Sequence, residues 1–139
     1  MLTDAKFRES KLHDITHFGI RITIGTIFII HSLGKFDPSF VGFLNQIGLP
    51  AEMQFLIALA EFVSGILLIL GVLTRISSSV LSIIMLGAIF HVKHAARLTG
   101  QGGFELELLI LAGVLTIIVV GPGRVSISHA IKKIPRFLQ

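Results

Sequence analysis

The sequence predicts an all-α integral membrane protein: a four-helix bundle, N-in/C-in, with a short amphipathic C-terminal helix. Composition is the first reason. Of 139 residues, 53% are hydrophobic and 14% charged, and mean hydropathy is +0.87. A water-soluble domain carries roughly 25% charged residues, so this chain has too few to cover a globular surface. The second reason is four apolar runs of near membrane-spanning length, about 17–25 residues. The third is a strong asymmetry of lysine and arginine across those runs.

Each element follows in order. Residues 1–17 form a cytoplasmic N-terminal segment. The first span, 18–36, is interrupted by Arg21, His31 and Lys35. Asp37-Pro38 and Gly48-Leu49-Pro50 bracket a loop with room for a short helix over 40–47. The second span, 53–73, holds one charge, Glu61, and a tight turn at Gly71 to Arg75 leads into the third, 76–96. Thr99 to Gly103 separates the third span from the fourth, 104–120, whose first turn carries Glu105 and Glu107. Gly121-Pro122-Gly123 stops the fourth, because proline cannot continue a helix and glycine suits its cap. These spans make one membrane domain, 18–123, followed by a basic cytoplasmic tail, 124–139. In the tail, Ile127, Ala130, Ile131, Ile134 and Leu138 share one helical face, with Lys132, Lys133 and Arg136 opposite. Ser126 or Ser128 is placed to cap that helix, and Pro135 to end it near Ile134.

Several classes are excluded. Strands of a membrane barrel alternate apolar and polar residues, and these runs do not. The formal charge of +4 comes from residues flanking apolar runs, not from a stripe interleaved with aromatics, so no nucleic-acid partner is expected. Without cysteine there is no disulfide, thiolate ligand or dithiol centre. No small-residue cleavage site follows the first run, so no cleaved signal peptide is expected.

Basic residues set the orientation. Nine lie on the side of the two termini (Lys6, Arg8, Lys11, Arg21, Arg75, Arg124, Lys132, Lys133 and Arg136), against Lys35, Lys93 and Arg97 on the other. Both termini are therefore predicted in the cytoplasm of a multi-pass plasma-membrane protein.

The ionisable residues inside the spans are the most informative feature, because a charge facing lipid costs at least a few kcal/mol. At about 100° per residue, Arg21, Gly25, Phe28, His31, Ser32 and Lys35 fall within one arc of roughly 120°. Ala58, Glu61, Ser64, Gly65 and Leu68 share a face of the second span. At about 1.5 Å per residue, His31, Glu61 and His91 lie roughly 7–12 Å below the outer ends of their spans. His31, Lys35, Glu61, His91 and one glutamate of the fourth span thus form a predicted polar pocket, with His31 facing Glu61. Lys93, His94 and Arg97 ring its mouth as an anion-attracting rim. Glu105 and Glu107 lie about 200° apart, so only one faces the bundle. The bland readings stand beside these: His31 and Glu61 as a pair that only fixes helix register, and Lys35, Lys93 and Arg97 as snorkelling cations. Arg21 reaches inner headgroups or the last carbonyls of a neighbouring span. His91 and His94 have a workable metal spacing, but with no third ligand no metal is predicted.

These residues form a pattern. Arg21-x3-Gly25-x2-Phe28-x2-His31-Ser32-x2-Lys35-Phe36 resembles the first-helix signature of the DoxX family of small membrane proteins. Gly48-Leu49-Pro50, Glu61-Phe62-Val63-Ser64-Gly65, Gly71-Val72-Leu73-Thr74-Arg75, Gly102-Gly103-Phe104-Glu105 and Gly121-Pro122-Gly123-Arg124-x-Ser126-Ile127 follow in the family's order and spacing. The resemblance implies a four-helix membrane fold, and it carries over Arg21, His31, Lys35, Glu61, Thr74, Arg75 and Glu105. It therefore favours Glu105 over Glu107 and makes Arg21, Thr74 and Arg75 structural motif residues. Ser32 and Ser64 stand where the family often has glycine, and His91 and His94 lie outside its pattern. The related DoxD proteins are the membrane subunit of a thiosulfate:quinone oxidoreductase. Three functions remain open. One is a membrane subunit of a quinone- or sulfur-linked redox complex, with a quinone or small anion in the pocket, His31 and Glu61 relaying protons, and Lys35 and Arg97 attracting an anion. The second is a structural or accessory subunit of a larger membrane enzyme. The third is a small transporter or channel, against which the absence of broken helices and repeats argues. Partners are the lipid bilayer and other membrane subunits. The chain carries no nucleotide, haem or iron–sulfur signature, so the cofactor is unassigned, with quinone compatible.

Overall fold

A computed structural model describes residues 10–131, 134, 135 and 137–139. Among them every regular element is helical: α1 (Lys11–Lys35), α2 (Ser39–Gln46), α3 (Met53–Leu70), α4 (Thr74–Gly87), α5 (Glu105–Val120) and α6 (Ile127–Ile131). α4 runs on as one π-helical turn, Ala88–Val92. Three segments are long and apolar enough to cross a membrane: Lys11–Lys35, Met53–Leu70 and Thr74–Val92. α5 is as apolar but has 16 residues, about 24 Å of helix.

The boundaries differ from the sequence expectation where caps decide them. α1 starts seven residues before residue 18, because Ser10 caps it by accepting from the His13 N–H at 3.3 Å. α3 ends at Leu70, where Gly71 turns left-handed with φ 70°. A side chain is excluded at Gly71 twice over, since a Cβ would lie 2.4 Å from Ser126 Cβ and 2.6 Å from Arg21 Nη2. The third span stops at Val92, short of residue 96, because the π-turn consumes the register and His94 and Ala95 follow with positive φ. α2 begins behind Asp37, whose Oδ1 accepts from the Ser39 N–H at 2.8 Å. Hydrogen bonds from the Ser39 hydroxyl and backbone hold that exposed carboxyl below its ordinary range.

α1 packs on α3, α3 on α4, α4 on α5, and α5 touches α1. The first contact is the closest. A Cβ on Gly25 would lie 2.6 Å from the Gly65 carbonyl, and one on Gly65 2.8 Å from the Gly25 carbonyl. Small residues at this crossing let two backbones touch, which is how helices associate in lipid. The core between the helices gathers Ile24, Phe28, Leu68, Leu81, Met85, Ile89, Val114 and Ile117. Outward, Ile30, Leu59, Ile83, Leu109 and Val119 are between 50% and 78% exposed. Such a surface belongs in lipid.

In the C-terminal region α6 is described over Ile127–Ile131, and the backbone at Ile134 and Pro135 is not helical. Ser126 caps α6 by accepting from the His129 N–H at 3.1 Å. Ser128 is instead buried, with its N–H on the Gly71 carbonyl at 3.3 Å. The chain then folds back, and Arg75 N–H donates to the Gln139 carbonyl at 3.3 Å. Lys132, Lys133 and Arg136, the proposed basic face, lie outside the described residues.

Candidate functional site

The spanning helices carry charge at two ends, here called the α2 end and the α6 end. At the α2 end, the C-terminus of α1 delivers Lys35 to Glu61 of α3, and Nζ pairs with Oε1. Glu61 is 1% exposed and its Oε2 has no partner among the described residues. Lys35 also lies 5.6 Å from the centre of the Phe40 ring on α2. Gln54 fixes the neighbouring chain by donating to the Lys35 and Asp37 carbonyls at 3.0 and 2.8 Å. Across from them, Lys93 Nζ bonds the Gly103 carbonyl at 2.6 Å and pairs with Glu107 Oε1 at 2.8 Å. His91, on the π-turn, bonds the Ile47 carbonyl at the end of α2 at 2.7 Å through Nε2.

Of these groups, Lys35, Phe40, His91, Lys93 and Glu107 line a cavity of about 730 Å³. Its walls are mostly apolar, built by Phe40 and Leu44 of α2 and Ile47 that caps it, Met53 and Ile57 of α3, and Ile83 and Ile84 of α4, with Lys35, His91, Lys93 and Glu107 among them. This is the size and character of a site for an amphipathic small molecule.

Three expectations change. His31 does not face Glu61: it is exposed, while Lys35 takes the carboxylate. The buried stripe of α1 runs through His17, Arg21, Ile24, Gly25, Phe28 and Ser32. His31 lies about 100° from Ser32, at the rim of that stripe, whereas the long Lys35 side chain reaches back inward. Glu105 is exposed, and Glu107 is the glutamate on the cavity wall, because the packing of α5 on α4 sets its phase. Of the expected rim, Lys93 lines the cavity and is ion-paired, while His94 and Arg97 are exposed beyond the π-turn. Among the described residues no three His, Asp or Glu side chains are placed to hold a metal.

The α6 end is organised by one side chain. Arg21, 1% exposed, donates from Nε to the Leu68 carbonyl at 2.8 Å and from Nη2 to that of Ile69 at 3.0 Å. Nη1 donates to the carbonyls of Pro122 and, at 2.8 Å, Val125. Of the two destinations expected for Arg21, it takes the carbonyls of the neighbouring span. One turn earlier, His17 bonds the Gly121 carbonyl at 2.8 Å, and a Cβ on Gly123 would lie 2.8 Å from its ring. Thr74 is wholly buried and Arg75 half-buried beside Gly121.

Comparison with known proteins bears on this geometry. The DoxX family model matches residues 17–94. That stretch is more than half of the chain, and runs from His17 through α1, α2, α3, α4 and the π-turn. The chain belongs to the DoxX family. Its relatives include CatD of Bacillus subtilis, which bears the provisional name of an oxidoreductase and is 34% identical over 73% of this chain and 77% of its own. The uncharacterised membrane protein Rv3486 of Mycobacterium tuberculosis is 33% identical over 82% of this chain and 80% of its own. The inner membrane protein YqjF of Escherichia coli is 28% identical over 88% of this chain and 97% of its own. No solved structure matches. This DoxX protein is thus a membrane protein in contact with lipid, and it has site residues that sequence reasoning missed. His17 was detectable, standing four residues before Arg21 on the same stripe. Glu107 and Gln54 had no such signal: one was the rejected half of a pair, the other a single polar residue at a helix start.

Proposed function

We propose that this DoxX protein is the membrane subunit of a quinone-linked redox complex and that it binds a quinone in the α2-end cavity. The observation that carries this reading is an apolar chamber of about 730 Å³ with the cations Lys35 and Lys93 on its wall. An apolar ring and tail suit the walls, and a polar ring oxygen suits an ammonium or the His91 ring. The provisional oxidoreductase name of the Bacillus subtilis relative points the same way. Electron transfer itself belongs to partner subunits, since this chain has no cysteine and no haem or iron–sulfur signature.

In this reading α5 is the fourth span, both termini are cytoplasmic, and the cavity opens in the outer half of the plasma membrane. Reporter fusions at Arg75 and after Gln139 then read cytoplasmic, and fusions at Asn45 and Gly100 external; a cytoplasmic reading at Gly100 removes the fourth span. For the cavity, the protein is purified in mild detergent with its partner subunits, and bound lipids are identified by mass spectrometry. A retained quinone, lost in Lys35→Ala while the complex still assembles, supports the proposal. Absence of quinone, together with normal turnover by Lys35→Ala, leaves an accessory subunit. That second reading is favoured by one observation: Lys35 and Lys93 are already paired within the chain.

A further inference from the structure

The seam between α1 and α5 is the open side of the bundle. α5 packs on α4 and only touches α1, and a groove of about 590 Å³ runs between them. Small residues line it: Thr16, Gly19 and Thr23 on α1, and Ala112, Gly113 and Thr116 on α5. Thr23 and Thr116 donate their hydroxyls to the Gly19 and Ala112 carbonyls, each at 2.9 Å, so neither requires a partner from outside. A Cβ on Gly19 would meet nothing within 4 Å, and small residues of this kind let a neighbouring helix approach closely. Two ionisable residues stand above this groove, His31 and Glu105. Both are exposed, and neither side chain has a hydrogen bond or ion pair among the described residues. At about 100° per residue, His31 points between Ile20 and Ile24, and Glu105 between Ala112 and Thr116, all of which line the groove. α1 and α5 run antiparallel, since His17 bonds Gly121 at the α6 end while Lys35 and Glu107 share the α2-end cavity. A Cβ on Gly113 would lie 2.5 Å from Ile24 Cδ1, so these two mark one level. His31 follows Ile24 by seven residues and Glu105 precedes Gly113 by eight, about 10 and 12 Å above that level. They share one depth to within about 2 Å, on the two banks of one groove.

An ionisable group turned to lipid costs at least a few kcal/mol when charged, so this face needs a cover that supplies both a donor and an acceptor. A second copy of the chain supplies both. Two copies with the same orientation in a membrane are related by a twofold axis only along the membrane normal. Rotation about that axis leaves every depth unchanged. A twofold contact brings residue i of one copy to residue j of the other, and j to i, but here only where i and j share a depth. His31 and Glu105 meet that condition. We propose that the α1–α5 face is the interface of a homodimer, in which α1 of each copy lies on α5 of the other and His31 of each donates to Glu105 of the other. An imidazole donates to a carboxylate whether it is neutral or protonated. α5, with 16 residues, is short for a hydrocarbon core about 30 Å thick, and oligomerising relieves a short span. The proposal rests on the four-span topology proposed above and not on the quinone. It gives a place to the two residues of the expected pocket, His31 and Glu105, that stand exposed outside the cavity.

The chain has no cysteine, so single cysteines report cleanly. The full chain is labelled with donor or acceptor dye at Gln101→Cys, in the exposed loop before α5, and reconstituted in vesicles of phosphatidylethanolamine and phosphatidylglycerol. Energy transfer is followed as the protein is diluted in lipid, and dimers that dissociate on dilution are expected. His31→Glu sets carboxylate against carboxylate twice per dimer. It is expected to weaken association at least about tenfold, from about threefold for each hydrogen bond between helices. His31→Glu with Glu105→His in the same chain rebuilds both pairs and is expected to restore the wild-type affinity. In a second arm, Thr23→Cys and Ala112→Cys proteins are mixed and oxidised, and a disulfide between the two is expected. Leu59→Cys, exposed on α3, is expected to link to neither. Energy transfer at the chance level at every dilution overturns the dimer. A dimer unmoved by His31→Glu, not restored by the exchange, or linked equally through Leu59→Cys overturns this face as its interface. The wild-type transfer and the Thr23–Ala112 link decide the matter even if His31→Glu fails to fold. A fusion at Gly100 that reads cytoplasmic removes the topology and the proposal together; an external reading without a dimer overturns the proposal alone.

Discussion

The two ends of this DoxX protein handle buried charge in opposite ways. At the α6 end, the Arg21 guanidinium spends its donors on carbonyls of Leu68, Ile69, Pro122 and Val125, which joins the end of α3 to the chain leaving α5. At the α2 end, Glu61 and Glu107 each keep an oxygen without a partner, and the space beside Lys35 and Lys93 is an open cavity. A fixed fork of donors is well matched to several fixed carbonyls; it holds helix ends together and spends four of its five N–H groups in doing so. Point-charge lysines on flexible stems, paired on one side only, hold less and offer more. One end is therefore a clasp and the other, in the function proposed above, a binding site.

Breaking the clasp is expected to have the largest effect. Arg21→Leu leaves buried carbonyls of α3 and of the α5–α6 connection without donors, at a cost of at least about 3 kcal/mol. The result is loss of the folded protein, read as a lowered midpoint in detergent unfolding. Arg21→Lys is expected to restore little, since one ammonium cannot reach four carbonyls arranged around a planar fork.

Between the two ends, the α1–α3 crossing is expected to tolerate no side chain. Gly65→Val puts branched bulk where a Cβ already lies 2.8 Å from the Gly25 carbonyl, and overpacking of this kind costs about 1–3 kcal/mol. It is measured in the same unfolding assay, with Gly34→Ala as a control because nothing lies within 4 Å of its Cβ.

At the α2 end the expected effects are smaller and show as coupling. Lys35→Leu and Glu61→Leu together are expected to be less harmful than the sum of the single changes, with an interaction of about 0.5–3 kcal/mol. His31→Leu and Glu61→Leu are expected to add. A coupling between His31 and Glu61 equal to that of the lysine pair would return His31 to the site.

The smallest effect belongs to His91→Phe, which removes one hydrogen bond to Ile47, worth about 1 kcal/mol. It is expected to quicken amide exchange in α2 while the global unfolding midpoint barely moves. Equal protection of α2 in both proteins would mean that the π-turn does not hold α2 in place.

Much of this was legible beforehand. Length and hydropathy placed α1, α3 and α4, and periodicity put Arg21 and Glu61 on inward faces, because a helix must bury its charges away from lipid whatever it packs against. The inward placing of Gly25 and of Gly65 followed from the same stripes, but not that the two meet. The partners were not legible in this way. A helical wheel gives the angle between Glu105 and Glu107 but not the phase of α5, which its contact with α4 sets.

What the sequence by itself determined is therefore the membrane class, the helices, and the faces that turn inward, since these depend on properties repeated along each segment. Only the tertiary structure decided that Lys35 and not His31 meets Glu61, that Glu107 and not Glu105 lines the cavity, and that His94 and Arg97 turn away from it. The physical reason is common to all three. Each choice depends on the rotation of a helix, or of the chain leaving it, about its own axis. That rotation is fixed by packing against another helix, or by the extra residue in the π-turn at Ala88–Val92, and neither leaves a period in the sequence.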